Sequence, residues 1–221
     1  MCLAFFKSSI GKKQIAAVTG LLLILFVIGH LFGNLLMFLG PEVFNGYAAT
    51  LASLRPIVFV IEMALLLVFL VHVFVTVLVV LENIKAAGVS RYAIANSRGE
   101  RSWATRLKVY TGFFIFAFVI WHLIDFTFSD HNGARAVLDG QHMGVYGVVY
   151  NSFLNPLHSV LYILAMFCVG FHLAHGVQSF MQTFGFNHPK YTPLVKKISN
   201  YFGFFIAFGF SSIPVYVLMR G

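Results

Sequence analysis

The run Gln14-IAAVTGLLLILFVIGHLFGNLLMF-Leu39 contains no charged side chain and a single histidine, His30. A helix needs about 20 apolar residues to cross the hydrocarbon core of a bilayer, so this run predicts a membrane span. Four further runs of the same kind follow, at roughly 57–81, 108–128, 156–182 and 199–219. The first three of these each carry a histidine near the middle: His72, His122 and His172. The connections between the runs leave no room for a separate soluble domain. The expected fold is therefore all-α, a single transmembrane domain over residues 1–221 built as a five-helix bundle.

Composition agrees. The chain is 59% hydrophobic and 10% charged, against about 25% charged for an ordinary soluble domain. Its net charge of +8 fits a positively charged membrane face better than a nucleic-acid surface. No cleavable signal is expected, because the apolar run that begins at Ile15 continues to Leu39. With only Cys2 and Cys168, the chain has no disulfide framework, no thiolate-held iron–sulfur cluster and no C-x-x-C-H site for covalent haem. No glycine-rich phosphate loop is present either, so flavin or nucleotide chemistry would belong to a partner.

Lysine and arginine set the orientation. Lys7, Lys12 and Lys13 precede the first span. Lys85, Arg91, Arg98, Arg101, Arg106 and Lys108 lie between the second and third, and Lys190, Lys196 and Lys197 between the fourth and fifth. Of the 15 basic residues, only Arg55, Arg135 and Arg220 fall on the other side. The N-terminus is expected in the cytoplasm.

An internal repeat relates the first and third spans. Thr19-Gly20-LLLILFVIG-His30-Leu31 and Thr111-Gly112-FFIFAFVIW-His122-Leu123 both read T-G-x9-H-L, with F-V-I separated from the histidine by one residue. Both spans run outward, so the repeat places His30 and His122 at one depth. His30 lies 11 residues before Pro41 and His122 lies 8 before Asp130, whereas His72 lies 17 after Arg55 and His172 lies 17 after Asn155. At 1.5 Å per residue the second pair is deeper by about 9–14 Å.

Histidine inside a bilayer is unfavourable unless it binds something, and imidazole is the usual axial ligand of haem iron. A single intramembrane histidine can simply bond a neighbouring carbonyl. Four at paired depths predict two non-covalent b-type haems, an outer one on His30 and His122 and an inner one on His72 and His172. Gly29 and Gly33 beside His30, and Gly176 one turn after His172, would leave room for a flat macrocycle, although such glycines also serve helix contacts. His175 shares a face with His172 and is an alternative ligand; His172 is preferred because its depth matches His72. His175, Arg106 and Asn34 are candidates for haem-propionate or neighbouring contacts. Two carboxylates, Glu62 and Asp125, lie at or within the membrane and are candidates for quinone binding or proton transfer, with Glu62 the stronger because Asp125 could face water. His158 is expected at the outer interface, and His131, His142 and His188 in solvated connections.

The residues also carry a family resemblance. Gly11-Lys12-Lys13, Thr19-Gly20, Gly29-His30-Leu31-Phe32-Gly33-Asn34-Leu35, Gly40-Pro41 and Phe44-Asn45-Gly46-Tyr47-Ala48 resemble the cytochrome b membrane subunit of succinate dehydrogenase and fumarate reductase, of the single-chain, five-helix, diheme type. Phe171-His172-Leu173-Ala174-His175-Gly176 with Ser179 and Gln182-Thr183-Phe184-Gly185 is similar to the same family. The resemblance extends over essentially the whole chain. It implies one haem ligand from each of the first four helices, falling on His30, His72, His122 and His172. It further implies a flavoprotein and an iron–sulfur subunit on the cytoplasmic side, a membrane quinone (menaquinone is the expected type) as redox substrate, and residence in a bacterial inner membrane. No dicarboxylate chemistry is expected in this chain. Three rival readings remain: a diheme cytochrome b of another quinone-linked dehydrogenase, a haem-free transporter using histidines as relays, and a structural anchor whose haem is vestigial.

Overall fold

Ser8, itself in an extended conformation, caps the first helix: its hydroxyl accepts a hydrogen bond from Gly11 N at 3.0 Å. From there a computed structural model describes residues 8–87 and 103–220. Among the described residues, seven α-helices follow in chain order: α1 Ser9–Leu35, α2 Pro41–Ser53, α3 Arg55–Ala87, α4 Trp103–His122, α5 Gly144–Phe153, α6 Pro156–Thr183 and α7 Thr192–Arg220. A 3-10 turn, Leu36–Leu39, extends α1, and a π turn, Leu123–Thr127, extends α4. Five segments are long and apolar enough to cross a membrane: Ser9–Leu39, Arg55–Ala86, Leu107–Thr127, Pro156–Thr183 and Thr192–Arg220.

These spans coincide with the five predicted from sequence, but several run further at their polar ends. Apolar length sets only the part of a helix that lies in hydrocarbon. Lys12 on α1 pairs with Glu82 on α3, so charges beyond the predicted boundaries close a contact between two spans.

The packing order matters for the site. α1 packs against α3, α6 packs against α4, and α1 and α6 pack against each other. α3 and α4 touch only sparsely, through the stacked rings of Phe69 and Phe116 at 6.1 Å. The four histidine-bearing helices thus form a ring in the order α3, α1, α6, α4, and α7 packs on the outside of α1 and α6. α6 and α7 meet closely because both are glycine at the crossing. A methyl group on Gly170 would stand 2.6 Å from the Gly203 carbonyl oxygen, the close backbone approach that small residues allow between membrane helices.

Two helices not predicted from the sequence, α2 and α5, cover the end of the bundle that carries the C-terminus. Gly40-Pro41-Glu42 starts α2 with a proline in its first turn and an acidic residue beside the helix N-terminus. Asn45 then fixes α2 to α5. Its Oδ1 accepts from Tyr146 N at 3.0 Å and its Nδ2 donates to the Met143 carbonyl at 2.8 Å. The larger core cluster lies at this end, with Met37, Phe44, Phe118, Tyr146, Phe153 and Tyr162 among its members. A smaller cluster of Ile24, Leu31, Leu173 and Ile206 sits further into the span.

Candidate functional site

His30 and His122 belong to α1 and α4, which are opposite members of the ring. Their imidazoles meet across its interior with centroids 5.9 Å apart and planes at 82°. His30 stacks on Phe26 at 5.3 Å and lies 5.7 Å from Phe210, while His122 stacks on Phe118 at 5.8 Å. Asn34 Nδ2 donates to the His30 carbonyl at 2.8 Å and stands 3.4 Å from both ring nitrogens. Equal, long distances mean that the amide lies beside the ring and bonds strongly to neither nitrogen. His122 Nδ1 is buried without a hydrogen-bond partner among the described residues, which is costly for an imidazole nitrogen with nothing else to bind.

The second pair occupies the other diagonal. His72 lies on α3 and His172 on α6, the other two opposite members of the ring. Each leans on the Thr-Gly pair of a neighbouring helix. Thr19 Oγ1 is 3.0 Å from His72 Nδ1, and Thr111 Oγ1 is 3.4 Å from His172 Nδ1. A methyl on Gly20 would lie 3.2 Å from His72 Cε1, and one on Gly112 would lie 3.4 Å from His172 Cε1. His72 therefore sits level with Thr19–Gly20, 11 residues from His30 along α1, a rise of about 16 Å. That exceeds the 9–14 Å expected from the ends of the runs. Pro41, Arg55, Asp130 and Asn155 are unequal depth markers, because the connections they bound fold into α2 and α5.

The two diagonals suit a ligand that needs one protein donor on each side. Among the described residues there is no group of three or more histidine, cysteine or acidic side chains able to hold a bare metal ion. A haem needs only two, since its macrocycle supplies the other four nitrogens. Two imidazoles on opposite sides of one metal, with metal–nitrogen bonds of about 2.0–2.1 Å, stand about 6 Å apart between ring centres, close to the His30–His122 spacing. The residues fit the group. Space beside them is uneven: a side chain added at Gly29 or Gly176 would meet nothing within 4 Å, whereas one at Gly33 would strike the Tyr47 ring, 2.8 Å from its hydroxyl oxygen. Gly33 is a packing glycine, contrary to the role expected for it.

The two candidate carboxylates separate clearly. Glu62, the one favoured from sequence, faces outward with its side chain 40% exposed, and Arg55 Nη1 donates to both its oxygens at 2.8 and 2.9 Å. Asp125 turns inward, at 13% exposure. It sits in the π turn directly after His122, where Phe128 N bonds back five residues to the Leu123 carbonyl at 2.9 Å. Such a widened turn re-aims its side chains and recurs at functional sites. Asp125 Oδ1 accepts from Arg135 Nη2 at 3.0 Å, and Oδ2 accepts from the Tyr162 hydroxyl and His158 Nε2, both at 2.8 Å. Arg135 also reaches Ser152 and the Asp125 carbonyl. Tyr162 links this cluster to the histidine layer, its ring centroid 6.2 Å from that of His122.

Arg135, His158 and Tyr162 were not expected as site residues. Their only signal in the sequence is that each is polar near the end of a span. His158, expected at the outer interface, meets Asp125 there. His131 Nε2 donates to the Phe126 carbonyl, 2.7 Å away, in the connection after α4. His175 lies on α6 half-buried, one turn from His172 and in charge contact with Lys108. The Arg106 side chain, together with Arg91, Arg98 and Arg101, lies outside the described residues. Comparison of the chain with protein-family models, with curated proteins and with solved structures finds no match to any of them.

Proposed function

We propose that this chain is the diheme cytochrome b anchor of a succinate:quinone oxidoreductase, carrying electrons between an iron–sulfur and flavoprotein pair on the cytoplasmic side and a membrane quinone, with menaquinone the expected type. The observation that carries the reading is the two levels of histidine: His30 facing His122, and about 16 Å away along the helices His72 and His172, each against a Thr-Gly pair of the repeat. When bound, two b haems, held by His30 with His122 and by His72 with His172, would supply reversible one-electron transfer. The choice of succinate over another donor is supported by the motif resemblance, from Gly29-His30 to Gln182-Thr183-Phe184-Gly185.

The chain's own residues do the remaining work. The phenylalanines beside His30 and His122 exclude water from the outer pair. Quinone chemistry moves protons as well as electrons, and Asp125 is the acid best placed to handle them, joined to His122 through Tyr162. Glu62, neutralised by Arg55 on the outer surface of α3, is assigned no such part. The basic residues at the end that carries the N-terminus, Lys12, Lys108, Lys190, Lys196 and Lys197 among them, support a cytoplasmic N-terminus and a docking face for acidic partner surfaces.

The test is succinate-driven quinone reduction in membranes holding the chain with its partner subunits. Activity that disappears in His122→Ala is the expected result. Two haems without succinate-linked activity would move the chain to another quinone-linked dehydrogenase, and a haem-free chain would bring the histidine-relay transporter forward.

A further inference from the structure

The Thr-Gly pair that opens each repeat serves a histidine other than its own. Thr19 lies on the helix of His30 yet stands 3.0 Å from His72 Nδ1, and Thr111 lies on the helix of His122 yet stands 3.4 Å from His172 Nδ1, the weaker contact of the two. The hydroxyl protons are already committed within each helix. Thr19 Oγ1 donates to the Ile15 carbonyl at 2.7 Å and Thr111 Oγ1 to the Leu107 carbonyl at 3.0 Å. A hydroxyl has one proton and two lone pairs, so toward the imidazole each oxygen accepts, and Nδ1 carries the hydrogen. The carbonyls three residues earlier, Ala16 and Lys108, accept from the same two hydroxyls at 3.2 Å. Both hydroxyl protons are thus held on the helix, and the oxygen lone pairs are what each ring meets. Nδ1–H then points at the supporting helix, and the Nε2 lone pair points away from it. Gly20 and Gly112 allow the approach, since a methyl at either would press on Cε1 of the ring.

We infer that Thr19 and Thr111 are positioning residues that hold His72 and His172 as Nδ1–H tautomers, presenting Nε2 as the metal-binding nitrogen and strengthening it as a donor. The inference rests on the diheme reading. A ligand imidazole that donates its other N–H to an acceptor is a more basic ligand and has a fixed ring orientation. A more basic ligand favours oxidised iron, so the hydroxyls lower the potential of the inner haem.

The experiment is a potentiometric titration, with low-temperature electron paramagnetic resonance, on membranes containing the full chain as wild type, Thr19→Val, Thr111→Val and Thr19→Ser. Valine keeps the shape and removes the acceptor. The expected result is two haems in every variant, with one potential raised and one low-spin signal displaced in each valine variant. The other haem should stay unchanged as an internal standard, and serine should restore the wild-type values. If Thr19→Val loses the inner haem altogether, recovery of both the haem and its wild-type potential in Thr19→Ser supports the inference, and failure to recover overturns it. Wild-type potentials and signals in both valine variants would also overturn it while leaving the diheme reading intact. A wild-type chain that takes up no haem would overturn both.

Discussion

The two histidine layers are built by different means from the same repeated segment. In the outer layer α1 and α4 contribute the histidines themselves, and His30 and His122 face one another among aromatic rings. In the inner layer the same two helices contribute supports: Thr19–Gly20 under His72 and Thr111–Gly112 under His172. One T-G-x9-H motif thus serves two depths at once, a histidine at one level and a seat at the other. The layers also differ in polarity. The outer one adjoins the Asp125, His158, Tyr162 and Arg135 cluster, while the rings of the inner one meet the Thr19 and Thr111 hydroxyls. On the proposed diheme reading, this division suits an inner layer that passes electrons and an outer layer that also meets protons.

The comparison breaks most severely if the ligands are not independent. His72→Ala and His122→Ala should each lose one of the two haems, the former sparing the outer layer and the latter the inner, and each should abolish quinone turnover. Haem quantification and potentiometry on the two variants check this, and loss of both haems from either would deny separate layers. Asp125→Asn should keep both haems yet slow quinone-linked turnover by about 10²-fold, the scale of a lost acid–base group. Steady-state kinetics measures it, and unchanged turnover would remove the proton role from the outer layer.

Smaller effects sharpen the contrast. Gly20→Ala should disturb only the inner signal, since the added methyl would lie 3.2 Å from His72 Cε1; spectra of the two haems would show it. Asn45→Ala should lower the thermal midpoint by leaving Tyr146 N and the Met143 carbonyl unpaired, a loss of about 1–3 kcal/mol, with no change in either haem spectrum. Glu62→Gln should do least. The carboxylate faces away from the histidine ring and is already paired with Arg55, so steady-state quinone turnover and both haem spectra should be unchanged.

The spans were legible because twenty-odd apolar residues admit one solution in a bilayer, and the His30–His122 pair because the T-G-x9-H-L repeat sets both at one depth; the spacing of the second pair was misjudged because the ends of the runs are unequal markers. The surroundings of the two candidate acids were not legible. Asp125 finds His158 and Tyr162 at sequence separations of 33 and 37, and no local pattern announces that convergence. Glu62 looked better because it lies deeper in its run, but the side on which a residue faces within a uniformly apolar helix has no periodicity to reveal it. α2 was legible in principle from Gly40-Pro41-Glu42, whereas α5 depends on Asn45 reaching across from another connection. The Thr-Gly repeat was visible as a repeat. Its task was not, because that task lies on neighbouring helices.

The central claim is that four histidines on two diagonals hold two haems. The most direct test is a reduced-minus-oxidised spectrum with haem quantification on the purified chain, expressed with its partner subunits. Two b-type haems per chain is the result predicted. One haem, or none, would contradict it.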